Sequence, residues 1–252
     1  MSIEKIKLID SIGQEFELPP KFELRSDPGG RRTQALETAF IHGAKDVSDG
    51  MFRPKIIEIS GKIFATSDAA FNAAWDSFQE HLVKENFRIQ DKGRQIYIKR
   101  VLEITKEYPS PVNYHYGEIS IAMLAEDPFW YSASAIQKQQ AVTSSPKEFQ
   151  FDIGGKMETF PIILIENNAA NTNFTLQNIT DGNRIFQVQD SGAANGTRIE
   201  INCKTGIVLR DSTNIIAVFS GLFLRLLGGQ TNNLKYTGAD CDITLQYFEA
   251  YI

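Results

Sequence analysis

Three histidines (His42, His81, His115), two cysteines (Cys203, Cys241) and the carboxylates Glu118, Glu126 and Asp127 are the residues of this 252-residue chain whose types could do acid–base, nucleophilic or metal chemistry. No histidine stands at ligand spacing from another histidine, a cysteine or a paired carboxylate, so exposed or capping roles are expected for all three. The cysteines are too few to staple a chain this long and too isolated for zinc, and both read as reduced and structural. Glu118 and Glu126 on one strand would share a face ~26 Å apart, whereas a glycosidase needs its two carboxyls within about 10 Å. Gly29-Gly30 and Gly228-Gly229 lack the Lys-Ser/Thr of a phosphate cradle, and no nucleophile elbow or zinc-protease helix occurs. Asn173, Asn178 and Asn195 open N-glycosylation triplets, which an Asn- and Thr-rich chain without a signal peptide produces by chance. No catalytic, cofactor-binding or metal-binding residue is therefore assigned, and no enzyme and no cofactor are expected.

The elements organise around Pro54 to Trp130. Ile57, Ile59, Ile63 and Ala65 alternate with Glu58, Ser60 and Lys62, the period of a half-buried strand. Ser67 and Asp68 then supply a cap and a first-turn acid, and Phe71, Ala74, Trp75, Phe78 and Leu82 form a stripe that predicts one long helix over Ser67–Lys84. Strands follow at Phe87–Gln90 and Gln95–Thr105 around a hairpin turn at Gly93, and a closing strand, Val112–Ala125, ends in Asp127-Pro128-Phe129-Trp130-Tyr131. Upstream, Ile3, Ile6, Leu8 and Ile12 suggest a strand or strand pair ended by Gly13, continuing through Phe16–Leu18. Leu24 to Thr33, with Arg31-Arg32, reads as a loop and Gly43 to Gly50 as a turn; between them Gln34–Ile41 fits a helix turn by Leu36 and Phe40 or a strand by Thr38, Phe40 and Ile41, and strand is preferred. Ile3–Ile9 and Phe87–Gln90 are the candidate sheet edges.

After Tyr131 the composition shifts. Residues 132–145, rich in Ser, Ala and Gln without apolar period, read as a linker. From Pro146 on there are eleven Asn against three before it. Nine short strands are expected: Phe149–Ile153, Phe160–Ile165, Asn173–Gln177, Arg184–Gln189, Thr197–Asn202, Gly206–Arg210, Phe223–Leu227, Asn233–Tyr236 and Asp242–Tyr251. Their regular spacing indicates an antiparallel β-sandwich or jelly roll. The fold class is mainly β: an α+β domain over 1–131 with one long helix on antiparallel sheet, a linker at 132–145, and a sandwich over 146–252.

A net charge of −5 and a pI near 5.3 argue against specific nucleic-acid binding or an anionic membrane surface. The polar start and the absence of a ~20-residue apolar run lead us to expect synthesis in a cytoplasm.

Ile59-Ser60-Gly61-Lys62-Ile63, then helix, hairpin and a long strand closing on Asp127-Pro128-Phe129-Trp130-Tyr131, resembles the distal tail proteins (Dit) of long-tailed siphophages. Phe160-Pro161-Ile162, Gly206 after Lys204-Thr205, Gly221-x-Phe223-x-x-Leu226-x-Gly228, Asn232-Asn233-Leu234 and Tyr251 extend the resemblance over nearly the whole chain; Thr33–Gly50 matches least. The resemblance implies a galectin-like second domain and a structural hub. Six copies of the first domain would form a ring joining the tail tube protein to tail-tip proteins, while the second domains hold baseplate or receptor-binding proteins. The expected location is the virion tail tip, assembled in the host bacterial cytoplasm. The alternative is a carbohydrate-binding adhesion module. Both tryptophans precede the second domain, leaving it only Tyr236, Tyr247 and Tyr251 as candidate sugar platforms.

Overall fold

Ser67 caps the one long helix as its sequence requires. Its Oγ accepts from Ala70 N at 3.2 Å, and α1 (Asp68–Leu82) follows with Phe71, Trp75, Phe78 and Leu82 buried. The protein is described here by a computed structural model covering residues 5–19, 21–26, 52–107 and 116–252, with backbone alone for 35–37 and 44–46. The chain divides into Met1–Trp130, with Ile252, and Tyr131–Tyr251.

The first unit contains β1 (Lys7–Ile9), β2 (Glu15–Glu17), β3 (Glu23–Ser26), β4 (Ala35–Glu37), β5 (Ala44–Asp46), β6 (Lys55–Phe64), β7 (Phe87–Asp91), β8 (Arg94–Ile98), β9 (Arg100–Glu107) and β10 (Tyr116–Ala125). Strands β2-β1-β7-β8 form one antiparallel array and β3-β6-β10-β9 another. The helical stripe shares one core with Leu8, Ile89 and Ile96 of the first array and Ile57, Ile59, Ile121 and Met123 of the second. The hairpin joining β7 to β8 turns through Lys92 and Gly93, both at positive φ (46° and 71°), the geometry that suits a two-residue hairpin.

Three expectations about this unit are corrected. The single strand over Gln95–Thr105 breaks at Lys99, whose N–H donates to Leu124 O at 2.8 Å, and the chain passes from one array to the other there. Two arrays closing on one core need a corner between them, which alternation alone does not reveal. The expected edges Ile3–Ile9 and Phe87–Gln90 are interior where described, because β1 lies between β2 and β7, and β7 between β1 and β8. A backbone strand, β5, also occupies part of the turn expected at Gly43–Gly50, pairing with β4 in the segment read as strand. The remainder of 27–51, including Gly29-Gly30, Arg31-Arg32 and His42, lies outside the described residues, as does His115.

Asp10 closes the β1–β2 turn and ties it to the end of the helix. Its carboxylate, 4% exposed, accepts from Ile12 N (3.0 Å), Gln14 N (2.7 Å) and Lys84 Nζ (3.0 Å). Ile12 itself, read as part of the strand or strand pair, lies on that turn and is 85% exposed. Burial raises the Asp10 pKa, but Lys84 and the two backbone donors outweigh it and leave the group below its ordinary value. A depressed folded-state pKa contributes stability above the unfolded value, near pH 4, which is lost as pH falls through the folded one. Thermal melts of wild type and Asp10→Asn from pH 6 downwards should therefore converge at the acid end. Parallel curves would remove Asp10 from the acid response.

β11 (Trp130–Ser132) leads into the second unit, which holds β12 (Ile136–Val142), β13 (Lys147–Ile153), β14 (Ile162–Asn167), β15 (Asn173–Asn178), β16 (Arg184–Gln189), β17 (Arg198–Asn202), β18 (Ile207–Arg210), β19 (Thr213–Asn214), β20 (Phe219–Gly221), β21 (Gln230–Thr237), β22 (Cys241–Tyr247) and β23 (Ala250–Tyr251). Two antiparallel sheets, β12-β22-β14-β17-β18-β19 and β13-β21-β15-β16-β20, enclose one core as a sandwich. Segment 132–145 is not simply a linker. Ile136–Val142 pairs with β22 along its whole length as an edge strand, and its polar sequence follows from burying only Val142 fully. Nor is Phe223–Leu227 a strand: only Leu226 bridges, to Thr159, and the ladder falls earlier at β20. Gly221 makes that pairing possible at φ +104°, since a Cβ there would lie 2.5 Å from Ile185 O.

Candidate functional site

The face of β3-β6-β10-β9 turned away from α1 is a broad polar surface of the first unit. Alternation places Glu58, Ser60 and Lys62 of β6 beside Glu118 and Ser120 of β10, Glu103, Thr105 and Glu107 of β9, and Glu23 and Arg25 of β3. A groove of 480 Å³ runs among Lys21, Glu23, Lys62, Thr105, Glu107 and Glu118.

At its centre Lys62 Nζ lies 2.7 Å from Glu118 Oε1, and Tyr116 OH donates to the same oxygen at 2.5 Å. Lys62 also sits 5.3 Å from the Tyr116 ring, which stacks on exposed Phe64 at 4.8 Å. The Glu118 hydrogen bond raises the Lys62 pKa, with Tyr116 adding to it, and the Lys62 hydrogen bond lowers that of Glu118. The two pKa values are driven away from neutrality, whereas an acid or base catalyst needs one near the working pH. The arrangement holds the two charges against each other.

The sheet ends in β3 on one side and β9 on the other, and among the described residues no further strand joins either. Both large apolar side chains Leu102 and Ile104 of β9 remain exposed, at 46% and 37%. The end strand β2 of the other array differs: it is three residues long and its acids are paired, Glu15 with Lys7 at 2.8 Å and Glu17 with Lys5 at 2.9 Å.

Among the described residues, those singled out by type are dispersed. His81 stacks on Phe16 at 4.6 Å and its Nδ1 meets Ser77 O at 2.9 Å, a packing and capping role. Cys203 and Cys241 are free and buried, and burial pushes their thiols up to about 12 and about 11. Glu118 belongs to the groove, while Asp127 accepts from Phe129 N at 3.3 Å in the turn beyond β10. Among the described residues no group of His, Cys, Asp and Glu gathers to hold a metal. Tyr236 and Tyr247 are buried and offer no sugar platform; Tyr251 donates to Glu249 at 2.7 Å. Asn178 is also buried, its Nδ2 bound to Arg225 O and Asn232 Oδ1. Asn232 in turn accepts from Leu227 N and donates to Leu227 O, both at 2.9 Å, fastening the turn through Gly228-Gly229. Sequence reasoning missed β3 and β9 as the open edges. The one available signal was the wet side of β6, where Lys62 stands between residues of the buried stripe.

Residues 154–251 match the family model of the siphovirus-type tail component, C-terminal domain. No curated protein matches the sequence. Among solved structures, the chain superposes on the Dit protein of phage SPP1, described as a paradigm of the hub adsorption apparatus in phages infecting Gram-positive bacteria. That match has TM-score 0.78 and 14% identity, and covers 98% of this chain and 99% of that one. A chain of the phage p2 baseplate, in its activated conformation with Sr, aligns over 97% and 98% at 11% identity and TM-score 0.48. The second unit is thus matched by the C-terminal domain of the siphovirus-type tail component family, within a chain that has the fold of SPP1 Dit.

Proposed function

We propose that this chain is a structural hub protein of a phage tail. Six copies form a ring through the first domain, 1–131, which joins the tail tube to the tail-tip proteins, while the sandwich, 146–252, projects and holds baseplate or receptor-binding proteins. Its place is the virion tail tip, after assembly in the host cytoplasm. The observation that carries this reading is the four-stranded array whose two edges, among the described residues, are joined by no further strand, since open edges are normally covered or paired. Cyclic closure covers every edge with the same contact.

The uncovered face would line the channel. It carries Glu23, Glu58, Glu103, Glu107 and Glu118 against Arg25, Lys62 and Arg100, so a polyanion passing through meets a net acidic wall with Lys62 already neutralised. Twenty-four strands at ~4.8 Å spacing give a barrel about 37 Å across before strand tilt widens it. Light scattering of the purified full chain is expected to give a particle of about 170 kDa, six times 28.3 kDa. A protein that stays monomeric at high concentration, even with tail-tube and tip partners added, would sink the hub reading.

A further inference from the structure

The two open edges of β3-β6-β10-β9 carry side chains that fit each other. We propose that β9 of one copy pairs antiparallel with β3 of the next, so that Arg25 of one copy meets Glu103 or Glu107 of its neighbour. This rests on the ring reading above and names its junction.

Direction supports the pairing first. Every neighbouring pair in the sheet is antiparallel, so across four strands β3 and β9 run in opposite directions. A cyclic rotation preserves the direction of each strand relative to the ring axis. The β9 of one copy and the β3 of the next therefore arrive antiparallel, and no strand has to be reversed. An odd number of strands would have brought like directions together.

Side chains then select the register. Sheet rows place Arg25 in line with Glu58, Ala122 and Glu103, and Leu24 in line with Ile59, Ile121 and Ile104. Keeping the acidic face and the helix face distinct across the junction limits register slips to steps of two. Continuing the rows sets Arg25 opposite Glu103. A slip of two one way sets Glu23 against Glu107, and the other way Glu23 against Glu103, each a like-charge pair directly opposite. A slip of four in the first direction sets Arg25 opposite Glu107. Both registers free of like-charge pairs thus give Arg25 a glutamate, in place of the loose 3.6 Å contact it makes with Glu23 in its own strand. The pairing also draws a neighbour's strand over Leu102 and Ile104, the exposed apolar residues of β9.

Charge reversal on the full-length chain tests this. Arg25→Glu alone would put acid on both edges, and the double variant Glu103→Arg/Glu107→Arg alone would put base on both. Light scattering is expected to show each losing the ring at a concentration where wild type is fully assembled. An equimolar mixture of the two is expected to recover the ring mass, because every junction of an alternating even-membered ring then joins acid to base. Recovery on mixing also shows that both variants are folded. Rings formed by either variant alone, or monomers that persist on mixing, would overturn this junction while wild-type rings leave the hub reading standing. Wild type that stays monomeric at high concentration, even with tail-tube and tip partners added, would overturn the hub reading itself.

Discussion

Replacing Trp75 with alanine is expected to lower the unfolding free energy by about 3–5 kcal/mol, the range for deleting a large aromatic from a packed core. Trp75 is 8% exposed and lies midway along the buried stripe of α1, with its ring centroid 6.0 Å from that of Phe78. Phe78 in turn contacts Phe16 and Phe22 at 5.8 Å each, so the ring sits in a chain of aromatics that fastens the helix onto both arrays. Lys106 of β9 closes over it, its Nζ 4.7 Å from the Trp75 ring and 4.9 Å from that of Phe71. Phe71, its neighbour on the stripe, packs so closely on Gly117 that a Cβ there would lie 2.7 Å from its ring. Urea unfolding of the two proteins measures the difference, and a near-neutral result would put that helix face in solvent.

Arg210→Ala is expected to cost the second unit about 3–5 kcal/mol, because it strands a carboxylate that the fold has buried. Asp190 is buried, and Arg210 Nη1 lies 2.6 and 2.8 Å from its two oxygens. Its remaining partner is Gly192 N at 2.9 Å. Gly192 leaves room for the guanidinium: a Cβ there would fall 1.9 Å from Arg210 Nη1. Replacing both members of the pair, Arg210→Met with Asp190→Asn, should cost much less than the single change, since no charge is then left unpaired. Denaturant melts of the single and double variants decide the matter. An additive result would mean that water already solvates Asp190.

Much of the fold was legible because it is written in local periods. The stripe Phe71-Trp75-Phe78-Leu82, the Ser67 cap, the Ile57-Ile59-Ile63 alternation and the turn at Gly93 each depend on residues within one or two turns of chain, and each appears where its spacing placed it. In the second unit Arg184–Gln189 forms a strand with the expected bounds, and the ladders around it differ from expectation by a residue or a few. The polar 132–145 segment misled because composition reports burial, and an edge strand buries little while still being a strand.

What the sequence determined by itself was the kind of fold: mainly β, one helix on a sheet followed by a sandwich. What only the tertiary structure decided was which strands are edges and which charges face one another. Nothing local distinguishes β7, enclosed between β1 and β8, from β9, which among the described residues has a strand on one side only. Edge status is a property of the neighbours: β9 pairs with β10, the next strand in the chain, and β3 with β6, and nothing within either strand says that its other side has no strand beside it. Lys62 and Glu118 are 56 positions apart in the sequence and 2.7 Å apart in space, because antiparallel register sets them side by side. Pairing across that separation is a long-range choice made by the core, which no alternation or spacing along the chain can express.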